Sequence, residues 1–271
     1  MPKSLKHIEW LIDTGEKLTT IDGKNVKVFE FCHKDDDEVL SAWATHFRNH
    51  YCLDSEIDFF RKGTGYSRTD FLNNIKLPTS SRGFGPSVRA GDFGEILVAD
   101  YLEFVLGYWV PRTRYDNKTI RDESAKGSDL IGFKLISDGE SPKDVLLIFE
   151  VKTQFSGKKA KSRLQDAVND SIKDEVRKAE SLNAIKQRLF DKQRYDDAKA
   201  IARFQNPVDK PYKEVSGAVA LFSANAYDKD LISTTKTSDH PNQENLMLVV
   251  IYGDDLMQLV NTLYARAADE A

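Results

Sequence analysis

The sequence predicts a mixed α/β fold (an α+β mixed sheet), in which helices pack against the faces of a sheet. Apolar runs at residues 145–149, 215–223 and 246–252 have the length and composition of strands that are buried on both faces. Apolar residues at helical spacing recur over residues 87–106 and in the long stretch 162–204. Strand and helix patterns that alternate along 271 residues are typical of one α/β core with an elaboration.

The first 85 residues predict an α/β extension that precedes this core. Two strand-like apolar runs come before a helix that begins in the charged residues 34–38, four of which are acidic, since acidic side chains favour the first turn of a helix. Residues 78–86 are rich in Pro, Gly and Ser and form the clearest break in the chain. We therefore expect an N-terminal extension at residues 1–85, which is a candidate docking region for a partner, and a second domain at residues 86–271.

The second domain is expected to contain a helix, an edge strand, a hairpin and a longer helical region in that order. Residues 108–115 predict an edge strand because a proline interrupts them. Residues 129–136 and 145–152 flank a short polar turn at residues 137–142, a pattern that is typical of a hairpin. The helical region that follows is expected to break near residues 190–195.

Composition and charge narrow the class of protein. The chain is 40% hydrophobic, and no apolar run approaches the roughly 18 residues that a membrane helix requires, so we expect a cytoplasmic protein with no membrane partner. The net charge is −4, yet residues 152–213 contain 16 Lys and Arg against 9 Asp and Glu. Such a basic region suits a phosphate backbone, although a solvated helix with mixed charges has the same composition.

Two cysteines and two histidines raise the question of a zinc site. Cys32 and Cys52 are too few for a disulfide framework in a chain of this size. His46 and His50 are one helical turn apart and lie near Cys52, so these four side chains have the donor types of a zinc site. The alternative is a helix with two partly exposed histidines and two small buried thiols.

Three ionisable residues lie at the strand ends of the predicted hairpin. Antiparallel pairing brings Asp129 beside Glu150, and Lys152 projects from the same face as Glu150 because the two are two residues apart. Two adjacent carboxylates repel each other unless a cation lies between them, and Mg²⁺ suits such a pair. The lysine can orient or deprotonate a metal-bound water, or neutralise charge on a phosphate. This set favours metal-assisted phosphodiester hydrolysis, and the alternative is a salt bridge at a strand end of an unrelated α/β enzyme.

Asp129 and the sequence Glu-Val-Lys at residues 150–152 resemble the D…(D/E)xK signature of the PD-(D/E)XK nuclease superfamily. Ser128 stands where these nucleases usually have a proline, a departure that the superfamily tolerates. Glu95 resembles the glutamate of their first core helix, and Gln154 resembles the ExKxQ extension of several branches.

This resemblance covers roughly residues 86–225 and implies a restriction-endonuclease-like core, preceded here by the N-terminal α/β extension. It implies a catalytic set of Asp129, Glu150, Lys152, Glu95 and Gln154. The implied metal ligands are Asp129, Glu150, Glu95 and the carbonyl of Val151, and the implied cofactor is Mg²⁺ or Mn²⁺. In this arrangement Lys152 activates water and stabilises the phosphate, while Gln154 supports the lysine or a phosphate.

Five basic residues are expected to contact DNA. They are Lys158, Lys159 and Lys161 after the hairpin, and Arg112 and Arg114, which would share one face of the predicted edge strand. Contacts of this kind to the phosphate backbone supply affinity rather than sequence specificity.

Within the superfamily the chain most resembles the HamA family, the nuclease subunit of Hachiman-type antiphage defence. The resemblance rests on Gly94-Glu95, residues 127–133, residues 150–152, the chain length and the N-terminal segment before the core. It implies a DNA endonuclease that is restrained by, and coupled to, a helicase partner of the HamB type. Two alternatives are a catalytically inactive nuclease-fold subunit that binds DNA or protein, and a restriction-type, site-specific endonuclease.

Overall fold

The computed structural model describes residues 5–136 and 139–271, which form a mixed α/β fold around one sheet. Within these residues the sheet has seven strands: β1 (Leu11–Asp13), β2 (Leu18–Thr19), β3 (Asn25–Phe31), β4 (Leu130–Lys134), β5 (Val145–Gln154), β6 (Lys213–Ser223) and β7 (Leu246–Gly253). The strand order is β1-β3-β7-β6-β5-β4, and β2 also pairs with β3. Strands β3, β7, β6 and β5 are parallel, whereas β1 and β4 are antiparallel to their neighbours at the two edges.

The same part of the chain forms nine α-helices: α1 (Asp37–Asn49), α2 (Ile57–Arg61), α3 (Arg68–Phe71), α4 (Gly85–Asp100), α5 (Arg163–Ser171), α6 (Asp174–Asp191), α7 (Tyr195–Ala202), α8 (Lys229–Ser233) and α9 (Leu256–Asp269). Short helical turns of 3₁₀ or π geometry lie at Lys6–Trp10, Leu72–Lys76, Tyr101–Val105, Ala224–Ala226 and Gln243–Asn245. No helix in the described ranges is both long and apolar enough to cross a membrane.

Helices cover both faces of the sheet. On one face α1, α4 and α9 bury Trp43 and Phe93 against strand residues that include Phe149. On the other face α5 packs around Ala220 of β6, and α6 and α7 pack around Ile148 of β5. Strand β5 therefore presents apolar side chains to a core on each side, which explains its continuous apolar sequence.

The first 85 residues extend the sheet. Strand β3 pairs in parallel with β7, and β1 and β2 then pair with β3. Helix α1 packs against α9 within the core that also contains Phe93 of α4. The extension and the nuclease-like core thus share one sheet and one hydrophobic core. The domain boundary at residue 85 stays a prediction, and α4 begins at this position.

The structure confirms the predicted hairpin. Strands β4 and β5 pair antiparallel from Leu130↔Phe149 to Lys134↔Val145. Residues 137 and 138 of the predicted turn lie outside the described residues. The helical stretch 162–204 consists of α5, α6 and α7, and the expected break falls between α6 and α7.

The predicted edge strand at residues 108–115 was wrong. In the described chain, Trp109 forms a single bridge to Phe133, and the residues after it leave the sheet. Pro111 has no backbone N–H to donate, and Arg112 has a left-handed φ of 54°. These two residues turn the segment away from β4 and towards α4, where its side chains reach buried carboxylates.

Candidate active site

The pairing of β4 with β5 places Asp129 next to Glu150. Asp129 comes one residue before the Leu130↔Phe149 pair, and Glu150 comes one residue after it on the other strand. Strand β5 continues beyond the start of β4, so the backbone N–H of Val151 has no β4 partner in the ladder. The Asp129 Oδ2 atom accepts a hydrogen bond from this N–H at 3.0 Å. The carboxylate is thereby fixed against the open edge of β5.

Lys152 lies between two carboxylates on one face of β5. Its Nζ atom is 2.7 Å from Glu150 Oε1 and 2.7 Å from Asp170 Oδ2 of α5. Burial lowers the pKa of Lys152, but the hydrogen bonds to Asp170 and Glu150 outweigh this and raise it above the usual lysine value. Lys152 is therefore a fixed cation at neutral pH.

Glu95 reaches the same region because α4 packs directly on β5. A Cβ atom at Gly94 would lie 2.5 Å from Thr153 Cγ2, so only glycine permits this approach. The Glu95 Oε2 atom accepts a hydrogen bond from the Tyr115 hydroxyl at 2.5 Å and lies 2.9 Å from Arg114 Nε. Glu95 is thus a buried carboxylate with one hydrogen-bond donor, Tyr115, and one ion-pair partner, Arg114.

Arg114 is a bridge between carboxylates. Besides its contact with Glu95, its Nη2 atom donates to Asp129 Oδ1 at 2.9 Å and to the Ala125 carbonyl at 2.9 Å. Its Nη1 atom also donates to the Ser128 carbonyl. Arg114 therefore holds the segment before β4 and places a positive charge within the acidic group, rather than on an exposed strand face.

Arg112 binds a different pair of carboxylates. Its Nη2 atom lies 2.7 Å from Asp100 Oδ1 and 2.8 Å from Glu103 Oε2. Both arginines line the same cavity, but their positions follow from the irregular path of residues 108–115 and not from the alternation of a strand.

The cavity that contains these groups has a volume of about 710 Å³. Its walls include four residues of the predicted catalytic set, Glu95, Asp129, Glu150 and Lys152. Three further basic residues, Lys173, Arg177 and Arg188, also line it. A cavity lined by both carboxylates and basic residues suits both a divalent cation and a phosphate.

The carboxylates of the cavity are buried close to one another. Burial, together with the charge of Asp129, raises the pKa of Glu150 to about 8, although Lys152 opposes the rise. Burial also raises the pKa of Glu95 to about 8, against the effect of Arg114 and with that of Asp129. Burial is the main cause of both shifts, so the folded protein disfavours two ionised carboxylates here unless a cation lies beside them. Carboxylate oxygens that lie this close together are ligands that fit Mg²⁺ or Mn²⁺.

Gln154 contacts the loop after β5, whereas the sequence predicted that it supports Lys152 or a phosphate. Its Nε2 atom donates to the Lys159 carbonyl at 2.8 Å, and its Oε1 atom accepts from the Lys161 backbone N–H at 3.0 Å. The amide thus fixes the loop after β5 and makes no contact with Lys152 among the hydrogen bonds of the described residues. Lys158, Lys159 and Lys161 are exposed on this loop, outside the wall of the main cavity.

A family model matches this chain over residues 6–267, and that family is HamA. The chain belongs to the HamA family. The match spans the N-terminal extension as well as the core, so the resemblance read from the sequence is confirmed. Membership of HamA points to a role in Hachiman antiphage defence. The comparison with curated proteins finds no match.

In this HamA chain the helices after β5 add carboxylates that the sequence patterns did not single out. Asp170 binds Lys152, and Asp174 is buried at the start of α6. Burial raises the pKa of Asp174 to about 6; the Ser128 hydroxyl opposes the rise, and the charge of Asp129 adds to it. A signal was present, because the two aspartates are four residues apart within an otherwise basic region. No pattern in the sequence indicated that Tyr115 would contact Glu95.

The zinc set considered for this HamA chain does not assemble. Cys32 is exposed at the end of β3, whereas Cys52 is buried with its Sγ atom 3.8 Å from the Leu53 carbonyl. His46 and His50 are adjacent, but their nearest acidic partner is Asp100 of α4 rather than either thiol. Local spacing raised this set only as an alternative, because it could not show which side chain α4 brings to α1.

Proposed function

We propose that this chain is a Mg²⁺- or Mn²⁺-dependent DNA endonuclease that acts in antiphage defence. The observation that carries the proposal is the pairing of β4 with β5, which brings Asp129, Glu150 and Lys152 to one end of a cavity. Membership of the HamA family supports the same conclusion. We expect the enzyme to act in the cytoplasm.

Asp129 and Glu150 are the proposed metal ligands, with the Val151 carbonyl and Glu95 completing the set. Their carboxylate and carbonyl oxygens are ligands that fit a hard divalent cation. When bound, Mg²⁺ or Mn²⁺ would polarise the scissile phosphate and lower the pKa of a bound water. The Val151 N–H binds Asp129 Oδ2 and Arg114 binds Asp129 Oδ1, so both oxygens of this ligand are held in position.

Lys152 is proposed to stabilise negative charge on the phosphate. Its raised pKa keeps it protonated at neutral pH, so a role as general base would require the loss of its bonds to Glu150 and Asp170. Asp170 anchors the ammonium from α5 and thereby orients it across the end of β5. Charge stabilisation by a preorganised cation is the role that this geometry supports best.

DNA is proposed to approach from the basic side of the cavity. Lys173 and Arg177 are exposed at the start of α6, and Arg188 lies further along the same helix. The loop that carries Lys158 and Lys159 continues the positive surface beyond the cavity. Contacts of these residues with the phosphate backbone would hold DNA across the carboxylates.

A helicase partner is proposed on the basis of the family alone. A HamB-type helicase would restrain DNA cleavage and be coupled to it, as the resemblance to HamA implies. The second candidate function is a catalytically inactive subunit of the same fold that binds DNA or protein. The complete Asp129, Glu150 and Lys152 set favours the enzyme, because a binding subunit has no use for it.

The test is cleavage of circular and linear DNA by the purified protein, alone and co-purified with the helicase encoded beside it. Reactions contain Mg²⁺, Mn²⁺ or a chelator. We expect metal-dependent cleavage of circular DNA, which requires an endonuclease, and a cleavage pattern that reports any site specificity. Glu150→Ala and Lys152→Ala should each abolish cleavage without a large loss of thermal stability.

Glu9→Ala and Lys34→Ala are matched controls, since they remove the same side-chain types from exposed positions far from β5. Both should cut DNA like the wild-type protein. Cleavage that persists in folded Glu150→Ala and Lys152→Ala variants would contradict the proposed site. No cleavage in any preparation, together with metal-independent DNA binding, would favour the inactive binding subunit.

A further inference from the structure

Three donor atoms converge where the N-terminal extension meets the core. His46 of α1 and His50, the residue after this helix, have their Nε2 atoms 3.2 Å apart. The His46 Nε2 atom is also 3.0 Å from Asp100 Oδ1, at the end of α4. All three donor atoms lie within 4.8 Å of one another, and Asp100 and His50 are buried.

We propose that His46, His50 and Asp100 bind a transition-metal ion of the zinc class, at a site separate from that of Asp129 and Glu150. Zinc binds nitrogen and oxygen donors at about 2.0–2.2 Å, so neighbouring ligand atoms of a tetrahedral ion are about 3.3 Å apart. The separations of 3.0 and 3.2 Å are close to this value. Two histidines one helical turn apart plus a carboxylate are a common zinc ligand set.

Hydrogen bonding alone satisfies this group incompletely. A neutral imidazole has one N–H, and the His46 Nε2 atom faces both a carboxylate oxygen and the Nε2 atom of His50. One hydrogen on His46 would have to serve both neighbours. A metal ion would instead accept an electron pair from each of the three donors. The buried cluster therefore gains more from a cation than from any arrangement of its own protons.

The surroundings of Asp100 resemble the outer shell of a metal site. Its Oδ2 atom accepts a hydrogen bond from His7 at 2.9 Å, and its Oδ1 atom accepts one from Arg112 at 2.7 Å. Such contacts fix the orientation of a ligating carboxylate. The charge of Arg112 opposes cation binding, but Glu103 is 2.8 Å from the same nitrogen and balances it.

The site also has room for a further ligand. His50 and Arg112 line the same cavity as Glu150, so a fourth position of the ion would face this cavity and accept water. Two ligands come from the extension and one from the core. A bound ion would therefore join α1 to α4 beside the cavity. This inference does not depend on the proposed nuclease activity.

The test is a titration of chelator-treated protein with Co²⁺, followed by displacement with Zn²⁺. We expect one tetrahedral Co²⁺ per chain, counted from its intense visible absorption, and loss of this spectrum on addition of Zn²⁺. A Co²⁺ ion at the oxygen ligands of Asp129 and Glu150 would absorb only weakly and would not be counted. The His46→Gln/His50→Gln variant should lack the spectrum. Glu150→Ala and the matched control His33→Gln should retain it, because His33 lies outside the cluster.

Thermal melts keep the test decisive if the double variant is unstable. Zn²⁺ should raise the melting temperature of Glu150→Ala, in which the other proposed metal site is impaired, but not that of the same variant with His46→Gln/His50→Gln added. The proposal is overturned if the wild-type protein binds no Co²⁺ or gives only the weak spectrum of an octahedral ion. It is also overturned if the spectrum survives in the folded double variant or disappears in Glu150→Ala.

Discussion

The Asp129 carboxylate accepts a 3.0 Å hydrogen bond from the backbone N–H of Val151, the residue between Glu150 and Lys152. This bond lies where the β4–β5 ladder ends, so the backbone of one strand positions the side chain of the other. The spacing of the proposed metal ligands is therefore a property of the hairpin. Arg114 binds the other oxygen of Asp129, so a backbone N–H and a guanidinium together give the preorganisation that a catalytic site requires.

Gly94→Ala is expected to impair both stability and activity. The added methyl group would meet Thr153 Cγ2 at 2.5 Å and push α4 away from β5, and Glu95 would move with the helix. We expect the free energy of unfolding to fall by about 1–3 kcal/mol and metal-dependent cleavage to fall at least tenfold. Urea denaturation and initial cleavage rates measure the two effects.

Gly91→Ala is the control for this prediction. Gly91 lies one helical turn earlier in α4, and a Cβ atom there would meet nothing within 4 Å. This substitution should stabilise the helix by up to about 1 kcal/mol and leave cleavage unchanged. Equal effects of the two substitutions would show that the close approach at Gly94 has no role in placing Glu95.

Glu150→Gln is expected to change how the stability of the metal-free protein depends on pH. The pKa of Glu150 is about 8 in the folded protein, above its usual value of 4.5, so folding favours the protonated form. This contribution is full below about pH 4.5 and is lost as the pH rises to about 8. Over that range the wild-type free energy of unfolding should fall by a few kcal/mol more than that of Glu150→Gln.

Denaturation in a chelator at several pH values measures this difference. Glu95 and Asp174 also have raised pKa values and are present in both proteins. The charge of Asp174 acts on Glu150, so the difference between the proteins includes the interaction of these two carboxyl groups. Mg²⁺ should stabilise the wild-type protein more than the variant, because the ion favours the ionised carboxylate. Parallel stability curves for the two proteins would mean that Glu150 is not desolvated as the structure indicates.

The sequence was sufficient for the parts of the site that depend on local structure. The hairpin has a short turn and side chains that alternate every two residues, so the neighbourhood of Asp129, Glu150 and Lys152 follows from the chain itself. The family could be recognised for the same reason, since its motif lies on these two strands. The apolar runs of β5, β6 and β7 likewise predicted the mixed sheet.

Contacts between distant segments could not be predicted in this way. Arg114 reaches Glu95 and Asp129 from a segment without regular structure, where no periodicity indicates which way a side chain points. Asp174 reaches the site because α6 begins beside β4, and Asp100 meets His46 because α4 crosses α1. These contacts are consequences of helix packing, which a single sequence does not encode as a local pattern.

Removal of Lys158 and Lys159 is expected to weaken DNA binding without affecting folding. Both side chains are exposed, and Gln154 holds the loop through backbone atoms that the substitutions keep. If each lysine contacts one phosphate, Lys158→Ala/Lys159→Ala should reduce the slope of log K against log salt by up to about 1.8. Fluorescence anisotropy with labelled duplex DNA in a chelator measures binding in the absence of cleavage.

The control is Lys17→Ala/Lys34→Ala, which removes the same charge from exposed positions in the extension. It should leave the salt slope unchanged. The same slope in both double variants would place the DNA path away from the loop after β5, and Lys173 or Arg177 would then be the next residues to replace.

Arg114→Lys is expected to lower the stability of the folded protein, although it keeps the positive charge. The guanidinium contacts Glu95, Asp129 and two backbone carbonyls at once, whereas an ammonium cannot reproduce this planar set of donors. The carboxylates would lose part of their bridge, so the free energy of unfolding should fall by about 1–3 kcal/mol.

Arg188→Lys is the control within the same cavity, because Arg188 makes a single hydrogen bond, to the Thr113 carbonyl at 3.2 Å, among those found in the described chain. That substitution should cost no more than about 0.5 kcal/mol. Urea denaturation of the two variants in a chelator measures both costs, and a smaller loss for Arg114→Lys than for Arg188→Lys would refute the bridging role.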